Sequence, residues 1–254
     1  MSSLLISREE RVLRLTLNDP ERRNALDETL CRDLVAALRE AGRDRSVGCV
    51  LLDAAGAVFC GGDATEEMLL PEAPEITEDH ERLFTFGVHY HKPIVAAVQG
   101  PALGSALGLL ANCQVVLAAQ GATFGLTEIR IGYWPFVTQR ALALAIGERR
   151  TVELALTGRI FSAADALQFG LVHEIVKPFE LDERALATAS ALAHASQETL
   201  RRGLDFVQKS REMSWETAGR LAAEYSERTF RSADFVEGVH ALRGQRKPDW
   251  PSLK

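Results

Sequence analysis

The sequence predicts an α/β core followed by an all-helical tail, and three observations carry that reading. Short apolar strands alternate with helical stretches over roughly the first 180 residues, whereas roughly the last 75 read as helix throughout. Of the 254 residues, 46% are hydrophobic and 25% charged, ordinary values that exclude wholesale disorder. A chain of this length also buries enough surface to need no disulfide or metal staples.

Taken in order, Val12–Leu17 alternates as a strand. Leu26, Leu30, Leu34 and Leu38 recur every fourth residue and mark one face of a helix reaching Ala41, with Gly42 as its stop. Cys49–Leu52 is a buried strand, and Gly61-Gly62-Asp63 turns the chain. Pro71–Thr77 is a polar, proline-containing loop, expected to be mobile, and a helix follows to about His91. From Pro93 to Ala119 no residue is charged, a length that would allow a membrane span. Gln99, Pro101, Asn112 and Gln114 divide it instead into a strand at Ile94–Val98, a buried helix at Leu103–Asn112 and a strand at Val115–Ala118. Beyond it, Arg140–Ile146, Thr151–Leu156 and Ala163–Phe169 read as helices and Leu171–Val176 as a last strand. After Pro178 four helices are expected, at 181–195, 197–210, 214–230 and 233–243.

Composition removes several classes of function. A net charge of −6 weighs against nucleic acid as a partner. The four cysteines, at 31, 49, 60 and 113, include no C-x-x-C pair and are expected as buried thiols in a reducing, cytoplasmic setting. The first residues lack the basic and apolar regions of a secretory signal. Neither the G-x-x-x-x-G-K-[ST] phosphate loop nor G-x-G-x-x-G nor G-x-S-x-G occurs. His89 and His91, two apart, would point to different sides of a helix and make poor metal ligands. No metal is expected.

Two glycine-rich turns remain, each after a buried strand: Val58-Phe59-Cys60-Gly61-Gly62-Asp63, and Gln99-Gly100-Pro101-Ala102-Leu103-Gly104-Ser105. Glycine lets a backbone approach a ligand closely, and a helix start offers unpaired N–H groups. Two such groups converging on one oxygen make an oxyanion hole; two tight turns in a core are the alternative.

Lys92-Pro93-Ile94-Val95-Ala96-Ala97-Val98-Gln99-Gly100-Pro101-Ala102-Leu103-Gly104 resembles the K-P-x-I-A-A-V-x-G-x-A-x-G segment of the enoyl-CoA hydratase/isomerase (crotonase) superfamily. Asn18-Asp19-Pro20 through Asn24-Ala25-Leu26 is similar to that family's N-x-P-x-x-x-N-A-L, and Ala122 through Glu128 to its A-x-F-x-x-x-E. Ser162-Ala163 through Gly170-Leu171-Val172, Glu237-Gly238-Val239-His240-Ala241 and Arg246-Lys247-Pro248 also resemble family segments, so the likeness spans nearly the whole chain.

The resemblance implies a crotonase (ClpP-like) spiral of ββα turns with a C-terminal helical trimerisation region. Residues 1–180 would form the core with the acyl-CoA site and residues 181–254 the association region of a homotrimer or dimer of trimers. It implies no cofactor beyond the coenzyme A of an acyl-CoA substrate, and no membrane partner. Gly62 and Ser105 would supply the two N–H donors to the thioester oxygen, with Gly61 as an alternative because Phe59–Asp63 is one residue shorter than the family's first turn. The donors being backbone, serine is acceptable at 105, where it replaces the family's frequent glycine and would narrow the turn. Glu128 would be the acid–base, walled by Phe124, Tyr133, Trp134 and Phe136. Ala25, Cys60, Gly61, Gly104, Tyr133 and Trp134 would line the substrate, and Arg22, Arg23, Arg246 and Lys247 would meet coenzyme A phosphates.

Two-glutamate hydratases carry their other glutamate where this chain has Gly108, and Gly132-Tyr133-Trp134-Pro135-Phe136 lacks the family's glycine pair. One carboxylate can take a proton from one carbon and return it to another. The expected reaction therefore leans to double-bond isomerisation. Hydration, decarboxylation, thioester hydrolysis and a catalytically weak scaffold are alternatives. Asp63, Glu66 or Glu67 would be the source of any second carboxylate, and Gly108→Glu is expected to favour hydration if the helix accepts it.

Overall fold

The computed structural model describes residues 2–64, 78–88 and 90–254. The Pro71–Thr77 loop, Glu66, Glu67 and His89 lie outside them.

A hairpin opens the chain. Strand β1 (Leu4–Glu9), which the sequence reading did not anticipate, pairs antiparallel with β2 (Val12–Leu17). Helix α1 (Glu28–Arg43) follows, its first turn capped by the Asp27 carboxylate, which accepts from Leu30 N–H at 2.8 Å. It runs one residue past Gly42, the expected stop. Lys92 gathers the carbonyls at its end, donating to Ala41 at 2.5 Å, to Val47 at 2.8 Å and to Asp44.

Strand β3 (Cys49–Ala54) pairs parallel with β2 and with β4 (Ile94–Val98). Between β3 and β4 stands α2 (Glu78–Thr85). Strand β6 (Val115–Ala119) then β9 (Glu174–Val176) complete a six-stranded sheet in the order β1-β2-β3-β4-β6-β9. A second, three-stranded sheet stands beside it: β5 (Ala102–Leu103), β7 (Thr123–Gly125) and β8 (Ile160–Ser162). Successive turns of the chain place one strand in each sheet and then a helix, as in β4, β5, α3 (Ala106–Ala111) and β6, β7, α4 (Phe136–Ile146). Isolated bridges from Cys60 to Ala102 and from Leu26 to Asp63 continue the small sheet towards the first glycine turn.

The helix expected over Leu103–Asn112 is therefore shorter than its apolar run. Ala102 and Leu103 are drawn into pairing with Phe124 and Gly125, and the chain becomes helical only after a left-handed Gly104. Strand β9 likewise occupies only the end of Leu171–Val176.

Helices α5 (Glu148–Thr157) and α6 (Ala163–Phe169) complete the layer on one face of the large sheet. Helix α7 (Leu181–Ala193) covers the other face, placing Leu181, Ala185, Ala189 and Ala193 against Val12, Leu51, Val95 and Leu117. The small side chains at a spacing of four let the helix approach the strands closely. The last helices, α8 (Gln197–Ser210), α9 (Trp215–Phe230) and α10 (Ala233–Arg243), each start on a capping serine, Ser196, Ser214 and Ser232. The buried Asp234 joins Ser196 to Ser252, tying the chain's end back to the start of α8.

Candidate active site

The first glycine turn is held by the Asn24 segment. Asn24 is fully buried; its side-chain oxygen accepts from Asp19 N–H at 2.7 Å and its amide donates to Ala55 and Val58 carbonyls at 2.9 and 2.8 Å. Gly61 N–H donates to the Arg23 carbonyl and Leu26 N–H to the Gly62 carbonyl, both at 2.8 Å. Gly61 N–H is therefore engaged, which removes it as the alternative donor. Among the described residues, neither Gly62 N–H nor Ser105 N–H donates to a backbone carbonyl. Burial pushes the neighbouring Cys60 thiol up to about 12, opposed by the Gly62 amide that faces the sulfur. A neutral thiol is a weak acceptor and leaves that donor largely unspent.

The second turn meets the first. Gly62 has φ +94° and Gly104 φ +57°, both in the left-handed region. A Cβ on Gly62 would lie 3.0 Å from the Leu103 carbonyl oxygen, and one on Gly104 would lie 3.5 Å from Gly62 Cα. The same Cβ would lie 3.6 Å from Glu128 Oε1. Gly62, Gly104 and the Glu128 carboxylate thus share one small volume, with Ser105 N–H beside them.

Glu128 begins the 3-10 turn Glu128–Ile131 after β7, and a left-handed Gly132 closes that turn. The side chain is buried, and its Oε2 has no hydrogen-bond partner among the described residues. Burial raises its pKa to about 7, its own backbone amide opposes this, and the nearby charge of Asp63 adds to it. Tyr133 is raised by burial and then by Asp63 and Glu128, which places its ring near both carboxylates. Phe124 is fully buried in β7, stacked on Phe161 at 5.7 Å, and Trp134 packs on the core. Phe136, expected as a further wall, is 68% exposed at the start of α4, so it does not shield Glu128.

The Ser105 hydroxyl takes part in the site as well as its N–H. Ser105 Oγ donates to Asp63 Oδ1 at 2.6 Å, and His80 Nε2 stands 3.5 Å from the same oxygen. Burial raises the Asp63 pKa, while the Ser105 bond and His80 oppose that rise. His80 escaped the sequence reading because nothing in its spacing distinguishes it. It reaches the site from α2, tilted on Phe84 at 5.2 Å.

Position 108 has no room for a second glutamate. A Cβ on Gly108 would lie 2.3 Å from Thr138 Cγ2 and 3.0 Å from Phe84 Cδ1, because α4 and α2 close over α3 there. The expectation that Gly108→Glu adds a working carboxylate is therefore corrected by packing. Among the expected coenzyme A contacts, Arg22 is exposed and pairs with Asp27 at 2.8 Å, while Arg23 is exposed beside Gly61. Arg246 forks onto Glu237 at 2.6 and 2.9 Å and Lys247 is exposed next to it, both beyond α10. Ala25 is half-buried between Asn24 and Leu26. No cluster of metal-ligating side chains occurs among the described residues, and none of their helices is long and apolar enough to cross a membrane.

The family described as Enoyl-CoA hydratase/isomerase matches residues 7–253. The chain belongs to that family. It is 35% identical to the 2,3-dehydroadipyl-CoA hydratase of Escherichia coli, over 98% of this chain and 99% of that protein. It is 33% identical to a protein of Rhizobium meliloti named "Probable enoyl-CoA hydratase", over 98% and 97%. The crystal structure of an enoyl-CoA hydratase from Mycobacterium smegmatis superposes with a TM-score of 0.88 at 30% identity, over 98% and 99% of the two chains. The two-sheet architecture with its C-terminal helices is thus the crotonase fold.

A buried acid held near neutrality leaves a mark on stability. With Glu128 raised from 4.5 to about 7 in the folded protein, folding favours the protonated form. Its contribution is fully present below the unfolded pKa and is lost as pH rises through about 7. Glu128→Gln should therefore raise the unfolding free energy by up to about 3 kcal/mol at high pH, relative to its effect under acid conditions. Urea midpoints of both proteins at about pH 5 and pH 8 check this; an equal difference at the two would contradict a raised Glu128.

Proposed function

We propose that this protein is an enoyl-CoA hydratase, adding water across the double bond of a 2-enoyl-CoA. The observation that carries the reading is the buried Glu128 carboxylate beside Gly104, between two glycine turns whose Gly62 and Ser105 N–H groups have no backbone acceptor among the described residues. A thioester oxygen placed on those two N–H groups becomes an enolate oxygen when nucleophilic attack at C3 pushes electrons towards it. Glu128 takes a proton from the attacking water as its oxygen bonds to C3. The same carboxyl returns a proton to C2 as the enolate collapses to the 3-hydroxyacyl thioester. A pKa near 7 suits a group that must accept and donate in one cycle. The hydratase names of the 35% and 33% identical relatives support hydration over other reactions of the same hole.

Isomerisation of a 3-enoyl-CoA is the second reading, and Thr138 filling the space at Gly108 favours it: one carboxylate suffices to move a proton between two carbons. Product analysis on paired 2-enoyl-CoA and 3-enoyl-CoA substrates decides. The hydratase reading expects the 3-hydroxyacyl-CoA to form faster from the first than 2-enoyl-CoA forms from the second. Glu128→Gln should slow turnover by about a hundredfold or more. Faster isomerisation would replace the reading by the second one, and undiminished turnover in Glu128→Gln would remove Glu128 from either.

We further propose that residues 181–254 carry the self-association of the chain and residues 1–180 the acyl-CoA site. Trp215 is 92% exposed, Leu242 80% and Phe230 60%, an apolar display on α9 and α10 that suits contact with other copies. Light scattering should give a mass three or six times that of one chain; a monomer mass at micromolar concentration would overturn this.

A further inference from the structure

The bond from Ser105 Oγ to Asp63 has a position that its length alone does not convey. Asp63 directly follows Gly62, and Ser105 carries the other unspent N–H. The 2.6 Å bond therefore joins the residues that bear or adjoin the two donors, 42 positions apart in the chain.

Two further observations show that the hydroxyl serves this link. Ser105 stands at the N-cap of α3, where a serine ordinarily accepts from the second or third helical N–H, yet it makes no side-chain cap bond. The oxygen chosen instead is one of a carboxylate that is itself nearly enclosed, with a side-chain exposure of 10%, and faced by His80. On its other side, Asp63 is bridged by backbone to Leu26, so the carboxylate projects from an anchored backbone.

We propose that Asp63 is a positioning residue: through Ser105 it clamps the two glycine turns together and sets the separation of the Gly62 and Ser105 N–H groups, with His80 holding the carboxylate from α2. This rests on the assignment of those N–H groups as the oxyanion donors. An oxyanion hole works because its donors are fixed before charge develops, and a clamp across it removes the freedom that would otherwise be lost at that step. Backbone bonds already join the two turns upstream, Phe59 and Cys60 N–H donating to the Pro101 carbonyl and Leu103 N–H to that of Cys60. The hydrogen bond to a carboxylate adds a side-chain tie beyond them, at the donors themselves. The clamp also accounts for serine at 105, which a backbone donor alone would not require.

The test uses the full-length protein and a chromophoric aryl-substituted 2-enoyl-CoA, whose absorption moves to longer wavelength when its carbonyl is polarised on binding. Wild type should show that shift. Ser105→Ala and Asp63→Ala should each reduce it and lower kcat by about tenfold, the scale of weakening rather than deleting one donor. KM should change far less. Asp63→Asn, whose amide oxygen still accepts from Ser105, should retain most of both. Ser105→Ala combined with Asp63→Ala should do no more damage than the worse single change, because both break one link. Should Asp63→Ala fail to fold, Ser105→Ala and Asp63→Asn carry the comparison. A full shift and full kcat in Ser105→Ala would overturn the clamp alone. Absence of any shift in wild-type protein that binds the probe would overturn the donor assignment, and the clamp with it.

Discussion

Two backbone turns built on left-handed glycines approach each other to van der Waals distance, and the rest of the site is arranged around that contact. Gly62 and Gly104 both adopt left-handed backbone, and an added Cβ on Gly62 would press within 3.0 Å of the Leu103 carbonyl oxygen. An alanine at either position would bring backbone strain of about 1 kcal/mol or more, added at Gly62 to that crowding. The contact leaves two N–H groups without backbone acceptors in an enclosed place. Donors that are buried without a strong acceptor are available to a ligand oxygen or to transition-state charge.

The surroundings follow from that choice. The Asn24 side chain bonds to the chain leading into the first turn, pairing of β5 with β7 fixes the second, and the same β7 delivers Glu128 at the start of the 3-10 turn that follows it. Burial then makes Glu128 a poorer acid and a better base. This is stability given up for chemistry, since a neutral side chain at 128 would sit there at lower cost above neutral pH.

Much of this was legible in the sequence, for identifiable reasons. Alternation revealed β2, the four-residue leucine spacing revealed α1, and the resemblance to a family motif singled out Glu128, which the structure finds buried beside Gly104. What escaped depended on contacts distant in the chain. Strand β1 has a mixed pattern, exposed at most positions, and β7 and β8 are only three residues each, too short for periodicity to register. The late start of α3 comes from the pairing of Ala102 and Leu103 with Phe124 and Gly125. Gly108 read as an empty catalytic position, whereas Thr138, thirty residues on, fills it. His80 and the Ser105 hydroxyl became visible only when Asp63 was placed between them.

The proposed chemistry requires Glu128 to face the carbon next to a thioester carbonyl held by two N–H groups. Proton exchange at C2 of a saturated acyl-CoA in deuterated water tests it directly, because it needs the enolate and the base but neither hydration nor a double bond. Exchange should be catalysed by the protein, slow as pH falls below about 7, where Glu128 becomes protonated, and be abolished in Glu128→Gln. A bound acyl-CoA that exchanges no faster than in buffer, or exchange that persists in Glu128→Gln, would contradict it.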